Sequence, residues 1–295
     1  MTERPVVDPR AIRRALREAG VRARHSLSQN FLADADVLDA VLVEAAPTAG
    51  TRILEIGPGL GILTGALIDA GAVVTAIELD GALAARLAAE RAGSVSLGER
   101  DPDAAGALRI VVGDALDVDL DALVEPPFDV VANIPYHITS PILHRLLGGT
   151  VRPRRLVLMV QREVAERIAA PPGRMSYLSV FVQHHAAARV AATVPPTAFE
   201  PEPAVDSAIL VLDVTRPGRR SPAEVAAEDG LWRVVQAGFR ERRKMLHNVL
   251  TRQLPIPPER IVTALAATGI DGERRPQTLS VAEWVALRDA LGPIG

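Results

Sequence analysis

Between residues 34 and 147, short apolar runs alternate with Ala- and Leu-rich segments of helical period, and this alternation limits what the chain can fold into. The runs are RILEI at 52–56, VVTAIE at 73–78, RIVV at 109–112 and FDVVAN at 128–133. Strands that alternate with helices pair in parallel, because each crossover helix packs back onto the sheet, so helices cover both faces. RRLVLMV at 154–160, RVAATV at 189–194 and SAILVLDV at 207–214 are further strand candidates. The last two are close in sequence and suit an antiparallel edge. The expectation is an α/β domain around a seven-stranded mixed sheet.

The stretch TRPGRRSPAE at 215–224 concentrates Pro, Gly, Ser and charge after the last strand and predicts a domain boundary. Three segments follow: a basic N-terminal arm over 1–24, a main domain over 25–216 and a small all-α domain over 217–295. Within 231–252, Trp232, Val235, Phe239, Leu246, Val249 and Leu250 share one helical face, while Arg233, Arg240, Lys244 and His247 share another. Residues 7–19 read as a short basic helix, and residues 91–108, rich in Gly, Ser and charge, read as a surface insertion.

Composition removes several classes of function. There is no cysteine, so disulfides, thiolate metal sites and thiol nucleophiles are excluded. The N-terminus lacks an apolar leader, and no apolar run approaches the roughly 18 residues of a membrane span, so a cytoplasmic protein is expected. The formal net charge of −3 argues at first against a polyanionic partner. Its distribution argues the other way. Residues 1–25 carry seven arginines against three acids, a net +4, and residues 231–252 carry a net +5, which leaves −12 on the remainder. Two basic segments on an acidic protein are the footprint of a nucleic-acid binder, although solvated helix faces would also account for them. Arg240, Arg243 and Lys244 are the candidate phosphate contacts.

The sequence ILEIGPGLGILTG sets Gly57, Gly59 and Gly61 directly after a strand and before a helix. Glycines there allow a tight turn and let a ligand approach main-chain N–H groups at the helix N-terminus. Glu78 ends the next strand, where a carboxylate can accept from two ribose hydroxyls, and Asp114 follows the third, suited to an adenine amine. Either acid could instead cap the helix after it. All three signals lie at carboxyl ends of successive strands, the edge where open α/β sheets bind ligands. A dinucleotide dehydrogenase would use G-x-G-x-x-G; the G-P-G-L-G spacing here favours S-adenosylmethionine.

The fourth strand runs into Asn133-Ile134-Pro135-Tyr136. An exocyclic adenine amine is a poor nucleophile because its lone pair is delocalised into the ring. The side-chain oxygen of Asn133 and the carbonyl of Pro135 can each accept one amine hydrogen, which favours a pyramidal nitrogen whose lone pair points at an electrophilic methyl group. Proline fixes φ near −65° and stiffens the loop. Tyr136 would stack on a base extruded from its helix, or else be a half-buried packing residue. Phe199, in the Pro-rich PPTAFEPEP, is a candidate for the second wall of the base slot or a loop anchor.

These motifs, with SLSQNFL before them and FEPEPAVDSA and FRERRKMLHN after, resemble the small-subunit ribosomal RNA adenine dimethyltransferase family of the KsgA type over almost the whole chain. The resemblance implies a Rossmann-like class I methyltransferase fold that binds S-adenosylmethionine, with Asn30, Leu32, Gly57, Gly59, Glu78, Asp114 and Asn133 at the cofactor. It implies dimethylation of two adjacent adenosines in the 3′-terminal hairpin of 16S rRNA, late in small-subunit assembly. The partner is then the immature small subunit, with no metal and no membrane, and a monomer is expected. Two departures stand out: Leu27-Ser28 where the family has Phe-Gly, and His137 where Asn commonly follows the NIPY motif. The related enzymes that methylate large-subunit rRNA are the nearest rival; a nucleotide-dependent oxidoreductase and a noncatalytic assembly factor are rivals of other classes.

Overall fold

A computed structural model describes residues 8–18, 30–91 and 105–294. The predicted insertion at 91–108 and the segment before Asn30 that carries Leu27-Ser28 fall largely or wholly outside those residues. The chain divides into two compact units, Met1–Ala165 with Arg189–Arg219, and Glu166–Ala188 with Arg220–Gly295.

The first unit is built on strands β2 (Arg52–Ile56), β3 (Val73–Glu78), β4 (Leu108–Val112), β5 (Asp129–Asn133), β7 (Arg155–Gln161), β8 (Ala186–Val194, which begins in the other unit) and β10 (Ser207–Val214). They form one seven-stranded sheet in the order β4-β3-β2-β5-β7-β10-β8. The β4-β3-β2-β5-β7 block is parallel, and β10 runs antiparallel to β7 with Ser207 opposite Gln161. The sequence runs coincide with these strands to within a few residues at each end. The antiparallel element is β10 itself, wedged between β7 and the outermost β8. Short antiparallel pairs join β1 (Phe31–Leu32) to β9 (Phe199–Glu200), and β6 (Val151–Arg152) to β11 (Gly218–Arg219).

Helices α2 (Ala35–Ala45), α3 (Ile62–Asp69), α4 (Gly81–Glu90), the single turn α5 (Leu120–Leu123) and α6 (Thr139–Gly148) connect the strands. Asp34 and Asp80 cap α2 and α4, each carboxylate accepting two amide N–H groups of the first turn, a device worth about 1 kcal/mol per helix. One core joins α2 and α3 to the sheet through Leu38, Val41, Leu67, Val74 and Val131. The basic helix α1 (Pro9–Glu18) buries Ile12 and Leu16 against Phe31 and Leu83, and Arg13 pairs with Glu200 at 3.0 Å.

The second unit is helical. After α7 (Arg162–Ile168) come α8 (Tyr177–His185), α9 (Pro222–Ala226), α10 (Asp229–Phe239), α11 (Leu246–Gln253), α12 (Pro258–Thr268) and α13 (Val281–Leu291). Trp284, Leu246, Leu250, Val234 and Leu265 are its core. Two expectations change here. The unit includes residues 166–188, far upstream of the boundary read at 217, because Met175 and Val180 pack into this core. The face pattern over 231–252 is also carried by two helices instead of one. The chain turns at Arg240–Met245, and Leu246 and His247 donate their N–H groups to the carbonyls of Arg274 and Gly272. At the α8–α10 contact, Nε2 of His184 and His185 lie 3.7 and 3.8 Å from the two oxygens of Glu228, which Arg220 approaches to 2.9 Å. Among the described residues no helix is long and apolar enough to cross a membrane.

Candidate functional site

The three glycines after β2 occupy positive φ, 70° at Gly57, 56° at Gly59 and 76° at Gly61, a region L side chains avoid. Space is short as well. A Cβ on Gly59 would lie 2.8 Å from the Phe31 ring, and one on Gly61 would collide with the Leu87 side chain. The loop is therefore committed to bare backbone, clamped between β1 and α4, with Gly57 directed toward Pro135.

Glu78 is 5% exposed at the end of β3, and its two oxygens accept N–H bonds from Gly59 and Asp80, each at 2.9 Å. Capping of α4 is the work of Asp80, so Glu78 instead ties the glycine loop to the neighbouring strand end. Burial raises its pKa, and the N–H groups of Asp80 and Gly59 pull it back. Asp114, after β4, accepts the Leu116 N–H at 2.8 Å and so does form a local turn, while still facing the cleft beside Gly113 and Leu79. Leu79, 54% exposed, gives that part of the cleft an apolar surface.

Asn133 ends β5. Its Nδ2 donates to the carbonyl of Asn30 at 2.8 Å, and the next residue, Ile134, donates its N–H to Met159 of β7 at 3.1 Å. The chain then enters a short 3₁₀ turn in which the Pro135 carbonyl accepts the Ile138 N–H at 3.0 Å, leaving that oxygen its second lone pair. Tyr136 is half-buried, and its hydroxyl lies 2.6 Å from that of Ser207.

These parts line one cleft at the carboxyl ends of the parallel strands. One lobe holds Asn30, Leu32, Gly57, Gly59, Glu78, Asn133, Pro135 and Tyr136; the other holds Asp114 and His137, and the lobes share Gly57, Glu78 and Pro135. Of the residues expected in this domain, Phe199 is the exception. It is 1% exposed and paired in register with Leu32, and its ring is part of the core, because β9 adds to β1 and turns that side chain inward. Its side chain is not among those lining either lobe. Arg240, Arg243 and Lys244 are exposed at the α10–α11 turn of the helical unit.

Glu55, within the ILEIG run, reads in sequence as an interior strand residue and carries no local sign of a role in the site. It is 1% exposed in the wall of the first lobe, its Oε2 meets no hydrogen-bond partner among the described residues, and burial raises its pKa to about 8. A glycine cradle, the buried carboxylate of Glu78, Asp114 in the other lobe and an apolar flank suit a ligand that combines a ribose and an adenine, as S-adenosylmethionine does.

A seven-stranded sheet with this glycine loop and an Asn-Ile-Pro-Tyr turn at one edge defines a Rossmann-like methyltransferase. The family model for ribosomal RNA adenine dimethylase matches residues 20–291, and the chain belongs to that family. It is 42% identical over 290 residues to ribosomal RNA small subunit methyltransferase A of an Anaeromyxobacter species (strain K), covering 96% of this chain and 98% of that protein. Among solved structures it is similar to a dimethyladenosine transferase from Plasmodium falciparum (TM-score 0.70, 25% identity, 87% of this chain and 95% of that one). It is also similar to the 23S rRNA methyltransferase ErmE (TM-score 0.65, 27% identity, 89% and 99%).

Proposed function

We propose that this chain uses S-adenosylmethionine to dimethylate the N6 amine of two adjacent adenosines in the 3′-terminal hairpin of 16S rRNA, on the immature small subunit. The observation that carries the reading is the sharing of one cleft by the glycine loop, Glu78 and the Asn133–Tyr136 turn. A relative named for the small subunit at 42% identity, against 27% for the large-subunit enzyme, favours the 16S substrate.

Asn30, Leu32, Gly57, Gly59, Glu78 and Asp114 would hold the cofactor, with Glu78 toward the ribose and Asp114 toward the adenine amine. When bound, the cofactor supplies an electrophilic methyl group on a sulfonium. Tyr136 would stack on the extruded adenine. Asn133 Oδ1 and the open lone pair of Pro135 would each accept one amine hydrogen, so that the nitrogen lone pair is aimed at the methyl carbon. The amine nitrogen would become acidic only once it carries the new methyl group and would then lose its proton to solvent, so Asn133 and Pro135 need only orient it and no base is needed for attack. Alignment supplies most of the acceleration. Arg240, Arg243 and Lys244, on the helical unit, would contact rRNA phosphates.

The test is methyl incorporation from labelled cofactor into unmethylated small subunits, followed by mapping of the modified nucleotides. Two adjacent dimethyladenosines near the 3′ end of 16S rRNA are expected. Modification of 23S rRNA, or of no adenosine, would overturn the reading.

A further inference from the structure

Tyr136 is held at both ends. Its backbone begins the 3₁₀ turn that Pro135 introduces at φ −54°, and its hydroxyl meets Ser207 at 2.6 Å. Ser207 is fully buried, the first residue of β10, and lies opposite Gln161 at the end of β7. That corner is itself fastened. Asp206 pairs with the Arg162 guanidinium at 2.8 Å, and its carbonyl accepts the Arg162 N–H at 3.0 Å. A tyrosine ring held at its backbone and at its hydroxyl has its long axis, and so its first side-chain torsion, set; because a phenolic O–H lies in the plane of its ring, the hydrogen bond also favours one ring plane before any ligand arrives.

We propose that Ser207 is a positioning residue for the target base, holding the Tyr136 ring in the plane on which the extruded adenine stacks. The inference rests on the reading of Tyr136 as that stacking surface. A ring that must be ordered at each encounter loses rotamer freedom on binding, whereas a ring already held loses little, so the hydrogen bond acts on RNA affinity and leaves the cofactor untouched. The bond is also the reason for a tyrosine here: phenylalanine would offer the same π-face without the tether.

The experiment compares Ser207→Ala, Ser207→Thr, Tyr136→Phe and the Ser207→Ala/Tyr136→Phe double variant of the full chain, measuring KM for unmethylated small subunits, kcat, and equilibrium affinity for S-adenosylmethionine. Ser207→Ala and Tyr136→Phe should each raise KM by roughly 3- to 10-fold, the size expected for re-ordering one side chain. The double variant should be no worse than either alone, Ser207→Thr should restore KM, and cofactor affinity should stay unchanged throughout. Tyr136→Phe removes the same bond without touching the buried start of β10, so it reports even where Ser207→Ala fails to fold. Additive effects, or wild-type KM in both single variants, would overturn the proposal. Tyr136→Ala separates the two levels. If it retains full transfer, the stacking reading itself is wrong; if it loses transfer while Tyr136→Phe behaves as wild type, the stacking stands and the role of Ser207 falls.

Discussion

The side-chain amide of Asn133 donates from Nδ2 to the main-chain carbonyl of Asn30, 2.8 Å away and more than a hundred residues earlier in sequence. A carbonyl only accepts, so this contact decides which arm of the amide faces it: nitrogen toward Asn30, and Oδ1, the acceptor, on the other side of the planar group. The segment entering β1 thus sets the rotamer of a residue at the end of β5. Asn30 enters the site through its backbone as well as by lining the cleft, and a residue with an intact carbonyl there should keep Asn133 oriented whatever its side chain.

The pH dependence of stability should report Glu55. Its pKa is raised to about 8, chiefly by burial, with the Thr64 hydroxyl opposing and the charge of Glu78 adding. From its ordinary value of 4.5 up to about 8, the folded chain keeps a proton that the unfolded chain has released, so Glu55 lowers stability progressively as pH rises through that window. Glu55→Gln removes the penalty. Melting temperatures of the two proteins, taken from about pH 5 to about pH 9, should diverge with the variant higher, and the gap should level off near pH 8. Parallel curves would show that Glu55 does not titrate in this way.

In the helical unit the sign reverses. Glu283 completes a capping box with Ser280 at the start of α13 and is paired with Arg274, whose hydrogen bonds lower its pKa to about 2. Stability from this depressed carboxylate is fully present above 4.5 and lost as pH falls toward about 2. Glu283→Gln should lower the urea midpoint at neutral pH and match wild type near pH 2, while Ser280→Ala should cost about 1 kcal/mol. A neutral-pH midpoint unchanged by Glu283→Gln would contradict the pairing.

The exposed turn Arg240–Met245 should govern the salt dependence of RNA binding. Each phosphate contact adds roughly 0.7 to 0.9 to the slope of log affinity against log salt. Replacing Arg240, Arg243 and Lys244 together with Ala should weaken binding and flatten that slope by about two, as read from equilibrium titrations at several salt concentrations. Arg252 is a weaker candidate because it pairs with Glu241 at 3.0 Å. An unchanged slope would place the phosphate contacts elsewhere.

The sheet was legible because its strands are continuous apolar runs punctuated by Gly, Asp and Pro. The cleft was legible because Gly57, Glu78, Asp114 and Asn133 each mark a strand end. What stayed hidden depended on tertiary pairing. Ser207 carries no local sign that its hydroxyl meets a tyrosine 71 residues away. Phe199 lies in a Pro-rich stretch that reads as exposed, yet pairing with Leu32 turns it into the core. Residues 166–188 alternate with the sheet in sequence but join the helical unit in space, and no composition shift announces the return. Within 231–252 the apolar period runs unbroken in sequence, although the polypeptide turns at the ERRK cluster.

Single-turnover methyl transfer by Asn133→Ala, measured beside its affinities for cofactor and for small subunits, tests the central claim most directly. Loss of one oriented group at a reacting centre costs about 100-fold or more, so transfer should fall at least that far. Binding of RNA should be largely retained, because the phosphate contacts proposed at Arg240, Arg243 and Lys244 lie on the helical unit. Wild-type turnover in that variant would mean that the Asn133 amide does not orient the reacting amine.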